Sequence, residues 1–255
     1  MRRFSAILCA AALVLASSVA FADDGDEGTA GQFRPRPVSN GEPHFAVGIK
    51  AGSLGIGVQV GTALASRVNL RGGANFFNYN DSLNKDGALY KGTLQLRSVE
   101  AKLDLFAIGG FHITPGVLLY NDNNLTATLS VSPGQSFTLG GVQYFSSAAN
   151  PINGTAALTL NKFAPTLGIG FGNLLPRSAR HWSLSTDLGV VFQGSPQFAL
   201  GVGGQACAQN GSNCLPIASV PGASANIESE RVKIQDDLKP FKYYPEVSIM
   251  FGWKF

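Results

Sequence analysis

Apolar and polar residues alternate along eight segments of the chain, each of them about ten residues long. In HFAVGIKA, for example, Phe45, Val47 and Ile49 are apolar, and the residues between them point to the opposite side of an extended chain. A period of two residues is typical of a β-strand, and about ten residues is the length that a tilted membrane strand needs. The segments lie at 44–51, 54–64, 68–79, 97–106, 111–120, 162–171, 181–192 and 243–255.

The faces opposite the apolar ones favour a membrane barrel over a soluble sheet. They combine Gly, Ser, Thr and Asn with a few charges, whereas the solvent face of a soluble sheet is strongly polar. An eight-stranded barrel has an interior just wide enough for side chains. The sequence therefore predicts an all-β fold over 44–255, an eight-stranded antiparallel transmembrane β-barrel. Pro115 and Pro165 lie inside predicted strands, where each removes a ladder hydrogen bond, so we expect bulges or strand offsets there.

The links between the segments differ in length in the way that a membrane barrel requires. Short inner turns are predicted at 65–67, 108–110 and 172–180, and long extracellular loops at 121–157 and 194–240. The link near 81–88 is intermediate, and the short first link at 52–53 is an exception. In the last loop, SANIESERVKIQDDLK predicts a short helix that stops at Pro240. The last segment should pair with the first, near Phe45–Ala51, so that no sheet edge is left open in the membrane.

The first 43 residues are predicted to lie outside the barrel. Residues 1–22 combine Arg2 and Arg3, an apolar core and the sequence Ala20-Phe21-Ala22, which is the pattern of a cleaved secretory signal. Residues 23–43 are rich in Asp, Glu, Gly and Pro and predict a flexible periplasmic tail. In an exported chain, Cys207 and Cys214 are expected to form a disulfide that closes a small loop.

Composition supports a lipid-facing surface and excludes a class of partners. The chain is 45% hydrophobic and only 14% charged, less charge than a soluble surface carries. Its formal net charge is +3, which gives no reason to expect nucleic acid as a partner.

Eight ionisable residues are predicted to point into the barrel. Charge in so narrow a lumen persists only when it is paired and hydrogen-bonded, so we favour a network that plugs the lumen. A gated ion or proton path is the functional alternative, since charges within a membrane are candidates for function. The predicted residues are Lys50, Arg71, Glu100, Lys102, Asp104, Asp187, Glu246 and Lys254.

The sequence offers weak signals for catalysis or metal binding. His181 and Ser183 suggest a hydrolase pair, but no acidic third residue is placed by spacing. The loop Ser82–Gly87 is similar to part of a calcium loop and lacks its first Asp and its final Glu. We therefore expect no enzymatic activity, no cofactor and no metal.

The eight alternating segments and the terminal aromatic strand resemble small OmpA/OmpW-type outer-membrane β-barrel proteins over 44–255. The resemblance implies the outer membrane of a Gram-negative bacterium, contact with its lipid and lipopolysaccharide, and a monomer with a structural or surface-exposed role. It also implies that the outer-membrane assembly machinery reads Phe251, Trp253 and Phe255. The alternatives are an OmpW-like conduit for small hydrophobic solutes, an adhesin acting through 121–157 and 194–240, and a lipid A-modifying enzyme.

Overall fold

The computed structural model describes residues 45–85, 88–176, 181–208 and 212–255. The predicted signal sequence at 1–22 and the predicted tail at 23–43 lie outside these residues. The chain within them is mainly β-strand, which confirms the predicted all-β class.

Eight strands form a ring of antiparallel pairs that corresponds to the eight alternating segments. In ring order each strand pairs with the next, and the last strand of the chain pairs with the first. Pairing of the first strand with the last was predicted, and the register joins Ala46 to Lys254 and Ala51 to Ile249. The strands in ring order are β1 (Phe45–Gly52), β2 (Gly55–Ala65), β3 (Val68–Lys85), β4 (Ala88–Ile108), β5 (Phe111–Asn121), β10 (Ala164–Gly172), β11 (Trp182–Phe192) and β15 (Tyr243–Lys254).

The predicted alternation of faces is present on these strands. In β1, Val47 and Ile49 are exposed, whereas Ala46 and Lys50 are buried. Exposed apolar side chains therefore cover the outside of the ring, and polar or small side chains fill its interior.

The two links that were predicted to be long extracellular loops contain regular structure, which corrects that prediction. The link after β5 holds β6 (Asn124–Val131), β7 (Ser136–Leu139), β8 (Val142–Ser146) and β9 (Asn153–Thr159), and the last link holds β12 (Gln197–Gly203), β13 (Gln205–Cys207) and β14 (Leu215–Pro216). Strands β6, β9 and β12 extend the sheet from the first part of β4, where Leu94 pairs with Leu125. Strands β7, β8, β13 and β14 form a second, four-stranded sheet.

The link predicted near 81–88 is also shorter than expected, because β3 and β4 run 18 and 21 residues. Their pairing continues from Val68–Leu105 to Lys85–Ala88. Both strands therefore extend well beyond the ring and carry the outer sheet.

One α-helix, α1 (Ala223–Asp237), occupies the predicted position in the last link. It follows a short 3-10 turn at Ile217–Ser219 and precedes another at Lys239–Lys242, which contains Pro240. Gln235 of α1 accepts a hydrogen bond from the Phe198 amide at 2.9 Å and donates one to the Pro196 carbonyl. The helix thereby satisfies backbone groups at the edge strand β12, which is how an exposed sheet edge is commonly protected.

The bulges lie elsewhere than at the two prolines, so that expectation was wrong. The register shifts between Ala63 and Ala65, between Val99 and Glu100, and between Phe106 and Ile108. Pro165 lies before the first residue of β10 that pairs with β11, so its missing N–H costs no bond in that ladder. Pro115 pairs with Leu167 of β10 in regular register. In the ladder between β4 and β5 Pro115 is not paired, and the pairing resumes at Ile113 without a change of register.

Candidate functional site

The candidate site is the interior of the ring, where the structure places the predicted charged residues. Seven of the eight are buried, and Lys254 is half-buried at one end. The seven form two clusters at different heights.

The lysine–glutamate cluster consists of Lys50, Glu100, Lys102 and Glu246. The Lys50 ammonium lies 2.6 Å from a Glu100 oxygen and 3.1 Å from a Glu246 oxygen. Lys102 pairs with Glu246 and lies 3.5 Å from Glu100. Each cation therefore contacts both carboxylates, which is the arrangement that a buried charge needs.

The arginine–aspartate cluster consists of Arg71, Asp104, Asp187 and His112. The Arg71 Nη2 donates to Asp104 at 2.7 Å and to Asp187 at 2.8 Å, and its Nε lies 2.7 Å from the second Asp104 oxygen. A guanidinium can serve two carboxylates at once because its donors are fixed in a planar fork. Gln59 joins the two clusters, since it donates to Glu100 and accepts from Arg71.

His112 belongs to this cluster and was missed as a lumen residue in the sequence. Its Nδ1 lies 3.0 Å from the Gly110 carbonyl oxygen and its Nε2 lies 3.1 Å from an Asp187 carboxylate oxygen. Both neighbours accept hydrogen bonds, so the ring satisfies them together only when it carries both protons. With that proton the two clusters hold four cations and four anions. The signal was present, because His112 falls on the inward side of the alternation in FHITPGVLLY.

Lys254, the predicted fourth cation, lies apart from these clusters. Its ammonium donates to the Pro176 carbonyl at 2.8 Å, at the inner turn that follows β10. This hydrogen bond anchors the inner turn to the end of β15.

That inner turn inserts two leucines into the barrel end, which we call the inner apolar plug (Ala46, Leu174 and Leu175). Leu174 is 1% exposed and Leu175 is 4% exposed, although both belong to a connection between strands. Gly48 and Gly252 leave room for them by having no side chain, since a Cβ at either position would collide with the Leu174 side chain. The turn is fixed by Asn173, whose side-chain oxygen accepts from the Leu175 amide at 2.9 Å and from Asn69 at 2.8 Å.

The other end of the ring is closed by an outer apolar layer of Leu54, Leu118, Ala164, Val191 and Tyr244. The four aliphatic residues are 1% exposed or less. The Tyr244 hydroxyl donates to the Ser53 carbonyl at 2.7 Å, which fixes its ring over the first link. The interior is thus filled from end to end by an apolar layer, two charged clusters and an apolar plug.

The predicted hydrolase residues are directed to other partners. The Ser183 hydroxyl donates to the Leu174 carbonyl at 3.0 Å, whereas exposed His181 stacks on Trp253 with ring centroids 5.6 Å apart. Among the described residues no group of three or more His, Cys, Asp or Glu side chains is placed to hold a metal ion. In the same residues no helix is both long enough and apolar enough to cross a membrane.

The outer surface of the ring is organised in bands. Aromatic side chains are exposed at both ends, and Val, Leu and Ile predominate between them. Strand β11 runs from Trp182 at the inner end to Phe192 at the outer end, and Phe192 makes an edge contact with Tyr243 at 5.8 Å between centroids. The inner aromatic band consists of Phe45, Phe111, Phe171, Trp182, Trp253 and Phe255, and the outer aromatic band of Phe76, Tyr120, Phe163, Phe192 and Tyr243.

The predicted assembly residues and the disulfide lie outside the lumen. Phe251, Trp253 and Phe255 are all on the outer face of β15 or directly after it, 49%, 49% and 75% exposed. Cys207 and Cys214 are bonded to each other as predicted, and Cys207 is the last residue of β13 in the four-stranded sheet.

Comparison with protein-family models gives no match, and neither does comparison with curated protein sequences. Solved structures that do match include crystal structures of two Acinetobacter baumannii proteins. CarO is 20% identical with a TM-score of 0.53, over 82% of this chain and 97% of CarO. CarO2 is 18% identical with a TM-score of 0.54, over 84% of this chain and all of CarO2. The chain shares the fold of these proteins, and its likeness to the OmpA/OmpW family stays a resemblance.

Proposed function

We propose that this chain is an integral outer-membrane β-barrel protein with a closed lumen and a structural or surface-exposed, non-enzymatic role. The observation that carries the proposal is the aliphatic belt between two aromatic bands on the outside of the ring. Strand β11 has eleven residues, from Trp182 to Phe192. At about 3.3 Å per residue and a tilt of about 40°, it spans ~25 Å, the height of the apolar band of outer-membrane barrels.

The assignment of the protein to the outer membrane is supported by two further observations. Short turns join the strands at one end, whereas the outer sheets and α1 lie beyond the other, and this asymmetry is typical of bacterial barrels with short periplasmic turns. The CarO proteins, whose fold the chain shares, are outer-membrane β-barrels of a Gram-negative bacterium.

A closed lumen is supported by the way the interior is filled. A passive conduit for small hydrophobic solutes requires an opening lined with apolar side chains. Here the middle of the barrel holds the ion-paired clusters around Arg71 and Glu100, both 2% exposed. Breaking these pairs in a dry interior is costly, so the closed form is strongly favoured.

The exposed aromatic residues of β15 fit a role in assembly. Phe251, Trp253 and Phe255 line one outward face of the strand that completes the ring. We extend the family resemblance to them and propose that the assembly machinery reads this face before β15 pairs with β1.

Refolding into planar bilayers tests the proposal. We expect wild-type protein to insert, as shown by a change in electrophoretic mobility on heating, and to give no steady conductance. The exchange of Glu100→Gln together with Lys102→Met should also give none, because the inner apolar plug is unchanged. Steady current through inserted wild-type protein would contradict a closed lumen, and failure to insert would contradict the membrane assignment.

A further inference from the structure

Three basic side chains border the outer aromatic band of the barrel: Arg97, Lys162 and Lys242. Arg97 is the direct cross-strand partner of the outward-facing Phe76. Lys162 immediately precedes Phe163, and the Lys242 ammonium lies 4.9 Å from the centre of the Tyr243 ring. All three side chains are exposed. Each cation is therefore held at the level where the lipid-facing surface ends on the extracellular side.

These cations have no acidic partner among the residues that the structure describes. Ion pairs on α1 differ in this respect, since Arg231 lies 2.7 Å from Glu228. The acidic residues of the barrel wall, such as Glu100 and Asp104, are occupied inside the lumen. Asp122, whose amide donates to the Arg97 carbonyl, directs its carboxylate to the Gln95 side chain at 3.3 Å and makes no ion pair with Arg97. The three cations are consequently left without a carboxylate partner at the rim.

The three residues are spread along an arc. Arg97 lies on β4, Lys162 adjoins β10 and Lys242 adjoins β15, and one strand separates each from the next in the ring. At about 4.8 Å per strand, neighbouring cations are ~10 Å apart around the circumference. Such spacing suits a row of anionic headgroups at the membrane surface better than one small anion, which requires converging donors.

We propose that Arg97, Lys162 and Lys242 bind the phosphate groups of lipid A in the outer leaflet. The inference rests on the proposed outer-membrane function and names the lipid that this rim contacts. The Arg97 guanidinium can bind a phosphate through two parallel hydrogen bonds, and the lysines act as point charges. The adjoining aromatic rings sit at the boundary between acyl chains and headgroups, which sets the cations at phosphate height.

The test compares lipid A with and without its phosphates. Wild-type protein is refolded in phosphatidylcholine vesicles that contain either bis-phosphorylated or fully dephosphorylated lipid A, and the lipid bound per protein is titrated by native mass spectrometry. The variant is Arg97→Gln with Lys162→Gln and Lys242→Gln. A basic residue near an anionic surface strengthens binding about fivefold, so we expect the variant to bind bis-phosphorylated lipid A ~100-fold more weakly.

A variant with the same loss of charge serves as the control: Arg67→Gln with Lys91→Gln and Lys239→Gln. Arg67 lies in an inner turn, and Lys91 lies on the same face of β4 as Arg97 but about 20 Å further out. Lys239 differs from Lys242 in having an acidic partner, since its ammonium lies 2.9 Å from Asp236. We expect the control to bind as wild type does. Equal affinity for both lipids in inserted wild-type protein, or an equal loss in both variants, would overturn the inference and leave the proposed function standing. A wild-type protein that does not insert would overturn both.

Discussion

Arg71 is the residue on which most of the buried charge depends. It is 2% exposed and contacts both Asp104 and Asp187, and its Nη1 also lies 2.8 Å from the Met250 sulfur. No other cation described in the structure lies within 4 Å of Asp104 except the His112 ring, at 4.0 Å. The lysine–glutamate cluster is built differently, because two lysines share two glutamates and each charge keeps a partner when one is removed.

Replacing Arg71 with Met should therefore destabilise the barrel strongly. The change keeps much of the side-chain volume but leaves two carboxylates in a dry interior with one histidine between them. Removal of one member of a buried ion pair costs about 3–5 kcal/mol, and we expect a loss of unfolding free energy in that range. Urea unfolding of protein refolded in lipid vesicles measures it.

Arg67→Met provides the matched control, since Arg67 is exposed in the inner turn four residues earlier. A surface change of this kind is expected within about 0.5 kcal/mol of wild type. A loss below about 1 kcal/mol for Arg71→Met would contradict the view that the arginine is what keeps the two aspartates in the lumen.

Among the elements, the inner turn after β10 is the one whose role the sequence conceals. It was predicted as a plain connection at 172–180, because a turn has no periodicity that reports which side chains point inwards. Leu174 and Leu175 are buried through contacts with β1, β2 and β15, all distant in sequence. The signal available in the sequence is the presence of glycine at inward-facing positions of the neighbouring strands, such as Gly48 and Gly252. Glycines there leave space in the lumen that another segment has to fill.

Changing Leu174 and Leu175 together to Ser tests this plug. Loss of two buried leucines should destabilise the barrel by several kcal/mol, since a single Leu→Ala in a core costs about 2–5 kcal/mol. The barrel should nevertheless stay non-conducting in planar bilayers, because the charged clusters still fill its middle. Adding Lys50→Ser and Glu100→Ser should still not open the lumen, because the arginine–aspartate cluster and the outer apolar layer remain in place.

The control for the plug is Ile108→Ser, at another inner turn. Ile108 is 82% exposed, so this variant should keep wild-type stability and remain closed. Steady conductance in the Leu174→Ser, Leu175→Ser protein alone would show that the charged clusters do not seal the lumen.

The sequence predicted the ring far better than the structure outside it. All eight ring strands follow from their alternation, because each has one face towards lipid and one towards a polar lumen. Strand β6 has the same pattern, with Leu125, Leu129 and Val131 on one face, yet its Ser, Thr and Asn content favoured a loop. Its burial depends on partners such as Leu139 and Ile217, which lie in later segments and cannot be assigned by local pattern.

At the scale of the whole molecule, two surfaces with opposite requirements meet on the same strands. The belt between the aromatic bands is apolar, and the part of β3 and β4 beyond Phe76 carries Asn78, Asn80 and Ser82 on its outward face. A barrel in water would have no reason to change character at that height. The change from apolar to polar outward-facing residues marks the end of the part of the barrel that we propose to be embedded in the membrane.

A single arginine placed at different heights would measure that boundary. Leu188 lies near the middle of β11, is 56% exposed, and has Ile169 and Val247 as its cross-strand partners. An arginine at the bilayer midplane costs about 2–4 kcal/mol, and near the interface about 0–1 kcal/mol. We therefore expect Leu188→Arg to lower the unfolding free energy in vesicles by 2–4 kcal/mol, and Phe163→Arg, in the outer aromatic band, by ~1 kcal/mol or less.

The reference position is Thr128→Arg, exposed on the outer sheet, where the change should stay within about 0.5 kcal/mol. All three sites are exposed on a strand or directly before one, so a barrel surrounded by water would treat them alike. Leu188→Arg would then be neutral or improve solubility, because it replaces an apolar surface residue with a charged one. A graded cost that is largest at Leu188 requires a solvent without water at that height. The size of the Leu188 penalty therefore decides between a lipid-embedded barrel and a soluble one, independently of any likeness to known proteins.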